Sequence, residues 1–255
     1  MTVSGEGWYA DPQDPARLRW WDGSAWTMHT HDPGTTPGTH HAPLPRWWGG
    51  LGAALQAGLL VNLAMSLYVI YVDREILAFV EELRLRPDGV TDADGLRIDR
   101  LLLWSALEWV PWVGTGILFI VWTYTAHHSA RMDRSVMRHG SGWAIGGWFV
   151  PLLNFWRPLQ VVLDIRRGAT GDEELPVTRT LGWWWVTFLV SYATSMIAGF
   201  HYRASESDDE GGQLLDHFAG AATWEQWSSV INIVCAVLAV RVVSEVRSLV
   251  RAEPT

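Results

Sequence analysis

The hydrophobic pattern of this chain is a series of long uncharged runs separated by short charged segments. Residues 47–72 and 180–202 carry no charged side chain, residues 101–130 carry only Glu108, and a shorter run covers residues 226–240. About 20 residues at ~1.5 Å rise cross ~30 Å of hydrocarbon. The pattern therefore predicts four transmembrane helices, the last completed by flanking arginine stems that reach the interface.

A fifth apolar segment, residues 142–164, does not fit a complete span. Its uninterrupted apolar part covers only residues 143–156, and Pro151 and Pro158 each remove a backbone donor. Such broken backbone is tolerated at membrane depth only against protein or a water-filled cavity. The segment is therefore predicted to be a re-entrant or interfacial helix between the second and third spans.

The arginines give an independent test of this threading, because cytoplasmic loops carry an excess of positive charge. If residues 142–164 do not cross, thirteen arginines lie on the side of the chain termini and six on the other. The thirteen are Arg17, Arg19, Arg46, Arg131, Arg134, Arg138, Arg157, Arg166, Arg167, Arg179, Arg241, Arg247 and Arg251. If the segment crosses, the split becomes seven to eleven, with Arg157 left in the membrane. The sequence thus predicts a mainly α, multi-pass plasma-membrane protein with four spans, one re-entrant or interfacial helix and both termini cytoplasmic.

The acidic residues collect in two loops on the opposite side. Residues 73–100 carry a net charge of −3 and residues 203–225 a net charge of −5, which together equal the formal charge of the chain, −8. The first loop is predicted to begin as an amphipathic continuation of the first helix and to end at the turn Pro87-Asp88-Gly89. An acidic external face excludes nucleic acid as a partner and leaves the lipid bilayer as the expected environment.

The amino-terminal residues differ from the rest of the chain. Residues 1–30 predict a small aromatic β module, residues 31–46 a Pro/Gly/Thr/His linker, and residues 47–250 the helical membrane domain. Asp22-Gly23 predicts a two-residue hairpin turn. That turn would place Trp21 opposite Ser24 and Arg19 opposite Trp26. Since a lone hairpin is marginally stable, Gly7-Trp8-Tyr9 is expected to add a third strand or an aromatic lid.

Composition supports this division. Hydrophobic residues make up 49% of the chain, charged residues 18%, and there are 18 tryptophans. Together with the uncharged runs, this excludes an ordinary soluble enzyme. The single cysteine, Cys235, lies in an apolar run and cannot form an intramolecular disulfide.

The module resembles domain of unknown function 2510. The residues that carry the resemblance are Gly7-Trp8-Tyr9, Asp11-Pro12, Arg19, Trp20-Trp21-Asp22-Gly23, Trp26-Thr27 and His29-Thr30. The resemblance implies a small cytoplasmic module of the kind found at the amino termini of many actinobacterial membrane proteins. It implies no established activity.

The membrane region, residues 47–250, resembles domain of unknown function 4328. The specific part is the sequence Trp148-Phe149-x-Pro151-x-x-Asn154-x-x-x-Pro158, supported by Trp122-Thr123-Tyr124, Gly142-Trp143-Ala144 and Trp183-Trp184-Trp185. Asp164, where the family more often has glutamate, and His127-His128 depart from the pattern. The resemblance assigns no catalytic residue.

Two groups of residues are candidate sites. The aromatic residues of the module form a candidate ligand-stacking or peptide-docking surface, or alternatively the module's own core: Trp8, Tyr9, Trp20, Trp21 and Trp26. Glu108, Asn154 and Arg157 form a candidate intramembrane polar site. Alternatively, Glu108 faces the outer headgroups, Asn154 satisfies backbone groups freed by the prolines, and Arg157 reaches the inner interface.

Catalytic and metal motifs do not emerge from the sequence. His29, His31, His40 and His41 lie in or beside the linker, His127 and His128 are adjacent on a helix, and no spacing matches a zinc site. No phosphate loop, nucleophile elbow or paired-carboxylate signature is found. We therefore expect no cofactor, no metal and no enzymatic activity.

These observations favour a membrane scaffold or recruitment protein whose cytoplasmic aromatic module binds a protein partner. The alternative is a small transporter or sensor that binds a solute near the broken helix, because interrupted helices mark many transporter sites. Few intramembrane charges and the lack of an inverted repeat weigh against that alternative. The oligomeric state is not predicted.

Overall fold

The computed structural model describes residues 6–31, 44–207 and 211–251. The chain divides into two compact units, residues 1–42 and residues 43–255. Most of the predicted linker, residues 31–46, lies outside the described residues.

The amino-terminal unit contains a three-stranded antiparallel sheet in the order β1-β2-β3. The strands are β1 (Gly7–Asp11), β2 (Asp14–Trp21) and β3 (Trp26–His31). The predicted third strand is confirmed, because Trp8 pairs with Trp20 and Tyr9 with Arg19 across β1 and β2.

The predicted hairpin register is wrong. Trp21 pairs with Trp26 rather than with Ser24, so four residues, Asp22 to Ala25, connect the strands. The reason is the Asp22 carboxylate, whose Oδ1 accepts hydrogen bonds from Ser24 N at 2.8 Å, Ser24 Oγ at 2.9 Å and Ala25 N at 2.7 Å. An aspartate that binds the backbone two and three residues ahead stabilises a longer turn, and Gly23 supplies the required positive φ of 92°.

The second unit is helical. Short 3₁₀ turns at 87–89, 106–108, 134–136 and 153–155 separate or join its helices. The helices are α1 (Arg46–Leu85), α2 (Asp92–Ser105), α3 (Trp109–His128), α4 (Trp143–Phe149), α5 (Arg157–Thr170), α6 (Arg179–Ser207) and α7 (Gly211–Arg251).

Three helices of the described residues are long and apolar enough to cross a membrane: Arg46–Leu85, Asp92–His128 and Gln213–Arg251. The second joins α2 and α3 through the 3₁₀ turn at 106–108. The predicted third span, residues 180–202, lies within α6 and is uncharged, but its tryptophans and small polar residues make it less hydrophobic. The protein is therefore mainly helical, with three helices of membrane-spanning character.

The long helices pack antiparallel. Arg247 of α7 donates to Gln56 Oε1 of α1 at 2.6 Å, and the N-terminal turn of α1 lies against Arg251. Asn62 of α1 donates to Thr115 Oγ1 of α3 at 2.8 Å. We call the end of the unit that contains Arg46 and the carboxyl ends of α3 and α7 the Arg46 end.

The main core lies toward this end. Trp48 and Trp122 stack with ring centroids 5.2 Å apart and an interplanar angle of 13°. Trp48 Nε1 also donates to the Trp122 carbonyl at 3.2 Å. Residues 161–168 of helix α5 are buried, so this stretch is enclosed by its neighbours although it contains two of the helix's three arginines, Arg166 and Arg167.

A second hydrophobic cluster lies at the opposite end, where α1, α2 and α7 meet. It contains Val72, Ile76, Val80, Ile98 and Ala222. The predicted amphipathic continuation of the first helix is thus confirmed, and α1 ends at Leu85, just before the predicted turn at residues 87–89.

The prediction of a loop over residues 203–225 is wrong for the described part, because α6 runs to Ser207 and α7 begins at Gly211. Packing of α7 against this cluster keeps the polar segment helical.

The predicted broken segment forms two helices, α4 and α5, joined by an irregular turn. Leu152 has a positive φ of 66°, and Asn154 N donates to the Val150 carbonyl at 3.2 Å. Gly147 of α4 lies against Arg157 of α5, where a Cβ atom would approach the arginine Cγ to 2.8 Å. Glycine at this position therefore allows the two halves to pack closely.

Candidate functional site

The module's aromatic residues lie on both faces of the sheet. Trp8 and Trp20 contact edge to face on one side, with centroids 5.5 Å apart. On the other side Trp26 contacts Tyr9 at 6.3 Å and Trp21 at 5.2 Å. The structure thus divides the five predicted residues into two groups, and the half-buried Tyr9, Trp21 and Trp26 form a cluster on their own face.

An ion pair supports that second face. Arg19 donates from Nε to Asp11 Oδ2 at 3.0 Å, and its Nη2 lies 2.9 Å from the same oxygen. The Gln13 amide donates to Asp11 Oδ1 at 2.9 Å. The hydrogen bond from Gln13, followed by the pairing with Arg19, holds the pKa of Asp11 below its usual value. Arg19 therefore pairs with a carboxylate. The prediction that it lies opposite Trp26 is wrong.

Glu108 lies in the 3₁₀ turn between α2 and α3 and belongs to a group of acidic residues from different helices. Asp73 of α1 is 1% exposed, and its Oδ2 has no hydrogen-bond partner among the described residues. Glu225 of α7 accepts a hydrogen bond from Tyr202 Oη of α6 at 2.7 Å. Glu108 and Glu225 are close enough to interact electrostatically with Asp73. Sequence analysis identified Glu108 alone, because Asp73 and Glu225 lie at the edges of uncharged runs.

Asn154 lies in the turn between α4 and α5. Its Oδ1 is buried without a hydrogen-bond partner among the described residues, so it accepts no bond from the backbone of the turn. Trp185 of α6 donates from Nε1 to the Phe155 carbonyl at 2.8 Å and so satisfies one backbone group of the turn. No local pattern links Trp185 to this turn, so sequence analysis did not identify it.

A small cavity of about 50 Å³ adjoins Asn154 and is otherwise lined mainly by Trp148, Phe155, Phe188, Leu189 and Tyr192. Pockets that bind drug-sized ligands usually measure roughly 300–1,000 Å³, several times the volume of this cavity. The cavity is too small for a metabolite.

Arg157 stays at the start of α5 and packs over the Trp143 ring at 4.8 Å. Its Nη1 donates to Gln160 Oε1 at 2.9 Å. Across the described ranges, no hydrogen bond or ion pair connects Glu108, Asn154 and Arg157 with one another. The three predicted polar residues do not form one site.

A polar cluster at the Arg46 end was not predicted. Asp164 of α5 is fully buried, and its Oδ2 lies 2.6 Å from His139 Nδ1. Arg167 Nη1 lies 3.5 Å from Asp164 Oδ1. His127 is fully buried, and neither ring nitrogen has a hydrogen-bond partner among the described residues. The only sequence signal was that Asp164 and His127 both depart from the family pattern.

Metal binding has no support in the described part of the chain. No group of three or more histidine, cysteine, aspartate or glutamate side chains there could hold a metal ion. Cys235 is buried in α7.

Comparison with known proteins gives two family matches. A family described as "Domain of unknown function (DUF4328)" matches residues 92–248, more than half of the chain. A family described as "Protein of unknown function (DUF2510)" matches residues 7–39. No curated protein and no solved structure matches.

Proposed function

Because the chain belongs to the family described as Domain of unknown function (DUF4328), whose description gives no activity, we propose a function from the geometry. The protein is an integral membrane scaffold without enzymatic activity, and its amino-terminal sheet recruits a protein partner to the membrane. The observation that carries the proposal is the pair of exposed Trp8 and half-buried Trp20 on one face of a sheet that belongs to its own compact unit.

The membrane unit is proposed to have four spans, with α6 as the third. Helix α6 packs along α7, where Ser191 Oγ donates to Asn232 Oδ1 at 2.7 Å and Ser228 Oγ donates to the Ser191 carbonyl at 3.1 Å. Small polar residues that pair across helices are typical of membrane interfaces. Exposed tryptophans near the starts of uncharged runs, Trp47, Trp183 and Trp227, suit the membrane–water interface.

The α4–α5 segment is proposed to be re-entrant. Its two ends lie near the carboxyl end of α3, since Ser141 contacts His128 at 3.3 Å and Asp133 N donates to the Gly168 carbonyl at 2.9 Å. Near the turn, Trp148 contacts Phe119 at 5.8 Å. Phe119 lies roughly 14 Å along α3 from its carboxyl end, about half the hydrocarbon thickness. A segment that enters and leaves on one side fits these contacts.

Reporter fusions test the threading. With both termini in the cytoplasm of a plasma-membrane protein, as the arginine distribution favours, fusions after residues 46, 90, 170, 215 and 255 should read in, out, in, out and in. An external carboxyl terminus would mean an odd number of spans, either five with residues 142–164 crossing or three without α6, and would contradict the four-span proposal. A truncated chain that begins at Pro45 serves as the control for any effect of the module on insertion.

The proposed docking surface is the face that carries Trp8 and Trp20. Trp8 is 45% exposed and Trp20 is half-buried, so part of this aromatic face is in contact with solvent. The other face is occupied by its own cluster and ion pair. Described residues 6–31 contain four acidic residues and two arginines, and this negative balance does not suit a nucleic acid or an anionic lipid surface.

We propose that the occupant is an extended, proline-containing segment of a protein partner. Polyproline segments bind aromatic-lined surfaces through the apolar faces of their rings and lose little conformational entropy because they are already extended. Trp8 and Trp20, which contact edge to face with an interplanar angle of 71°, provide such a surface. The proposed partner is thus a peptide that binds through apolar ring faces and does not need a charged side chain.

Replacing Trp8 with alanine tests this surface. We expect the full-length protein in nanodiscs to bind fluorescent proline-rich peptides from a defined library, and Trp8→Ala to weaken binding about tenfold or more, because stacking residues dominate such interfaces. Fluorescence anisotropy measures both affinities.

Met28→Ala is the matched control. Met28 is 92% exposed on β3, and strand alternation places it on the face opposite to Trp8. Met28→Ala should bind like the wild type. Equal loss in both variants, or equal binding of proline-free peptides, would contradict the proposal.

A small transporter or sensor is the alternative. It is favoured by Asp73, a buried carboxylate one of whose oxygens has no hydrogen-bond partner in the described part of the chain, since intramembrane acids often serve ion or proton pathways. A solute site at the broken helix is disfavoured by the small volume, about 50 Å³, of the cavity beside Asn154.

A further inference from the structure

Arg166 is a buried cation whose charge has no acidic partner among the described residues. Its side chain lies near the carboxyl end of α5, and the residue is only 7% exposed. Its Nη1 donates to Thr178 Oγ1 at 2.8 Å, and its Nε is buried without a partner among the described residues. A neutral hydroxyl does not compensate a buried charge, and an uncompensated charge is costly.

The nearest carboxylate on the same helix is already engaged. Asp164 lies 2.6 Å from His139 and 3.5 Å from Arg167. The single carboxylate of Asp164 therefore already faces two basic side chains, His139 and Arg167, and does not compensate the charge of Arg166. The carboxyl-terminal half of α5 carries an excess of positive charge inside the protein.

Thr178 places Arg166 at the amino terminus of α6. The Leu181 amide donates to Thr178 Oγ1 at 3.4 Å, and the Gly182 amide donates to the Thr178 carbonyl at 2.9 Å. Arg179, the first residue of α6, is exposed. A helix amino terminus carries a partial positive charge and unpaired amides. Arg166 and the helix end therefore favour an anion at the same place, and Arg179 adds an exposed positive charge one residue beyond Thr178.

We propose that Arg166, Thr178, Arg179 and the amino terminus of α6 bind a phosphate group. Phosphate accepts several hydrogen bonds and suits both guanidinium groups and helix termini. The group belongs to a lipid headgroup or to a free phosphate. The lipid source is favoured, because Val177 is 46% exposed and Trp183 is 62% exposed on either side of this position. Exposed apolar side chains next to a basic site provide a surface for acyl chains.

The experiment uses the full-length protein and three probes: phosphatidylglycerol, phosphatidylcholine and inorganic phosphate. Native mass spectrometry measures lipid retention, and thermal unfolding in neutral detergent measures stabilisation by each probe. We expect phosphatidylglycerol to be retained over phosphatidylcholine and to raise the melting temperature. Stabilisation by millimolar inorganic phosphate as well would show that the phosphate group alone is sufficient, whereas stabilisation by the lipid only would identify the headgroup as its source.

Two variants and one control test the residues. Arg166→Gln and Arg179→Gln should each weaken retention of phosphatidylglycerol about tenfold, as expected when a charged hydrogen bond is lost. Arg179 is exposed, so its variant keeps the test valid if Arg166→Gln does not fold. Arg241→Gln removes an exposed arginine from α7 and should retain the lipid like the wild type.

The lipid-free protein separates binding from a structural role. Because Arg166 is buried without a counter-charge, Arg166→Gln should leave the lipid-free melting temperature unchanged or higher. A lower melting temperature with unchanged lipid retention would overturn the proposal. So would equal losses in all three variants, or no effect of either phosphatidylglycerol or inorganic phosphate.

Discussion

Replacing Asp164 with asparagine should destabilise the membrane unit by about 3–5 kcal/mol, the usual cost of removing one partner from a buried ion pair. Asp164 is fully buried and faces both His139 and Arg167. Asparagine keeps the volume but removes the charge, so the two basic side chains lose their only carboxylate among the described residues. Thermal and denaturant unfolding in detergent, followed by tryptophan fluorescence, measures the loss.

Asp99→Asn is the control for this change. Asp99 lies exposed on α2 and forms no ion pair within the described ranges, so its replacement should alter stability by less than about 0.5 kcal/mol. Asp164→Glu keeps the charge and should lie between the two, with a cost of roughly 1–3 kcal/mol from the extra methylene. An Asp164→Asn variant as stable as Asp99→Asn would show that the pairing contributes nothing.

Trp122→Ala should also cost roughly 3–5 kcal/mol, the range for truncating a large buried aromatic side chain. Trp122 is fully buried and stacks on Trp48, with Phe119 next to it. In a bilayer the lost packing is the main term, since lipid tails are as apolar as the core. The same unfolding measurement reports the change.

Trp183→Ala is the control for Trp122→Ala, because it removes the same side chain from an exposed position. Trp183 is 62% exposed on α6, so its removal leaves no internal cavity and should have a much smaller effect. Similar losses for the two tryptophans would indicate that solvation of the indole, and not packing at the α1–α3 contact, determines stability.

Much of the helical framework could be predicted from the sequence. Uncharged runs report whether a segment suits lipid or water, and this information is local. The predicted continuation of the first helix, its end near Pro87 and the break around Pro151 follow from side chains within a few residues of one another. The same holds for the third strand of the module, which follows from the marginal stability of a lone hairpin.

Local reasoning was less successful where one side chain redirects the backbone. The Asp22 carboxylate binds Ser24 and Ala25 and lengthens the turn by two residues, which shifts every pair of the hairpin. A two-residue turn and a four-residue turn both agree with the same dipeptide. The energy difference lies in hydrogen bonds that the pattern does not specify.

The candidate sites depended most on tertiary structure. Asp164 meets His139 across 25 positions, and Trp185 satisfies the Phe155 carbonyl across 30 positions. The sequence by itself determined which segments are apolar, where the chain breaks and that the module is aromatic. Only the tertiary structure decided that Glu108 joins Asp73 and Glu225, that Asn154 and Arg157 stand apart from them, and that Arg166 lacks an acidic partner among the described residues. Hydropathy is a property of single residues and their neighbours, whereas charge compensation and hydrogen bonding depend on which distant residues the fold brings together.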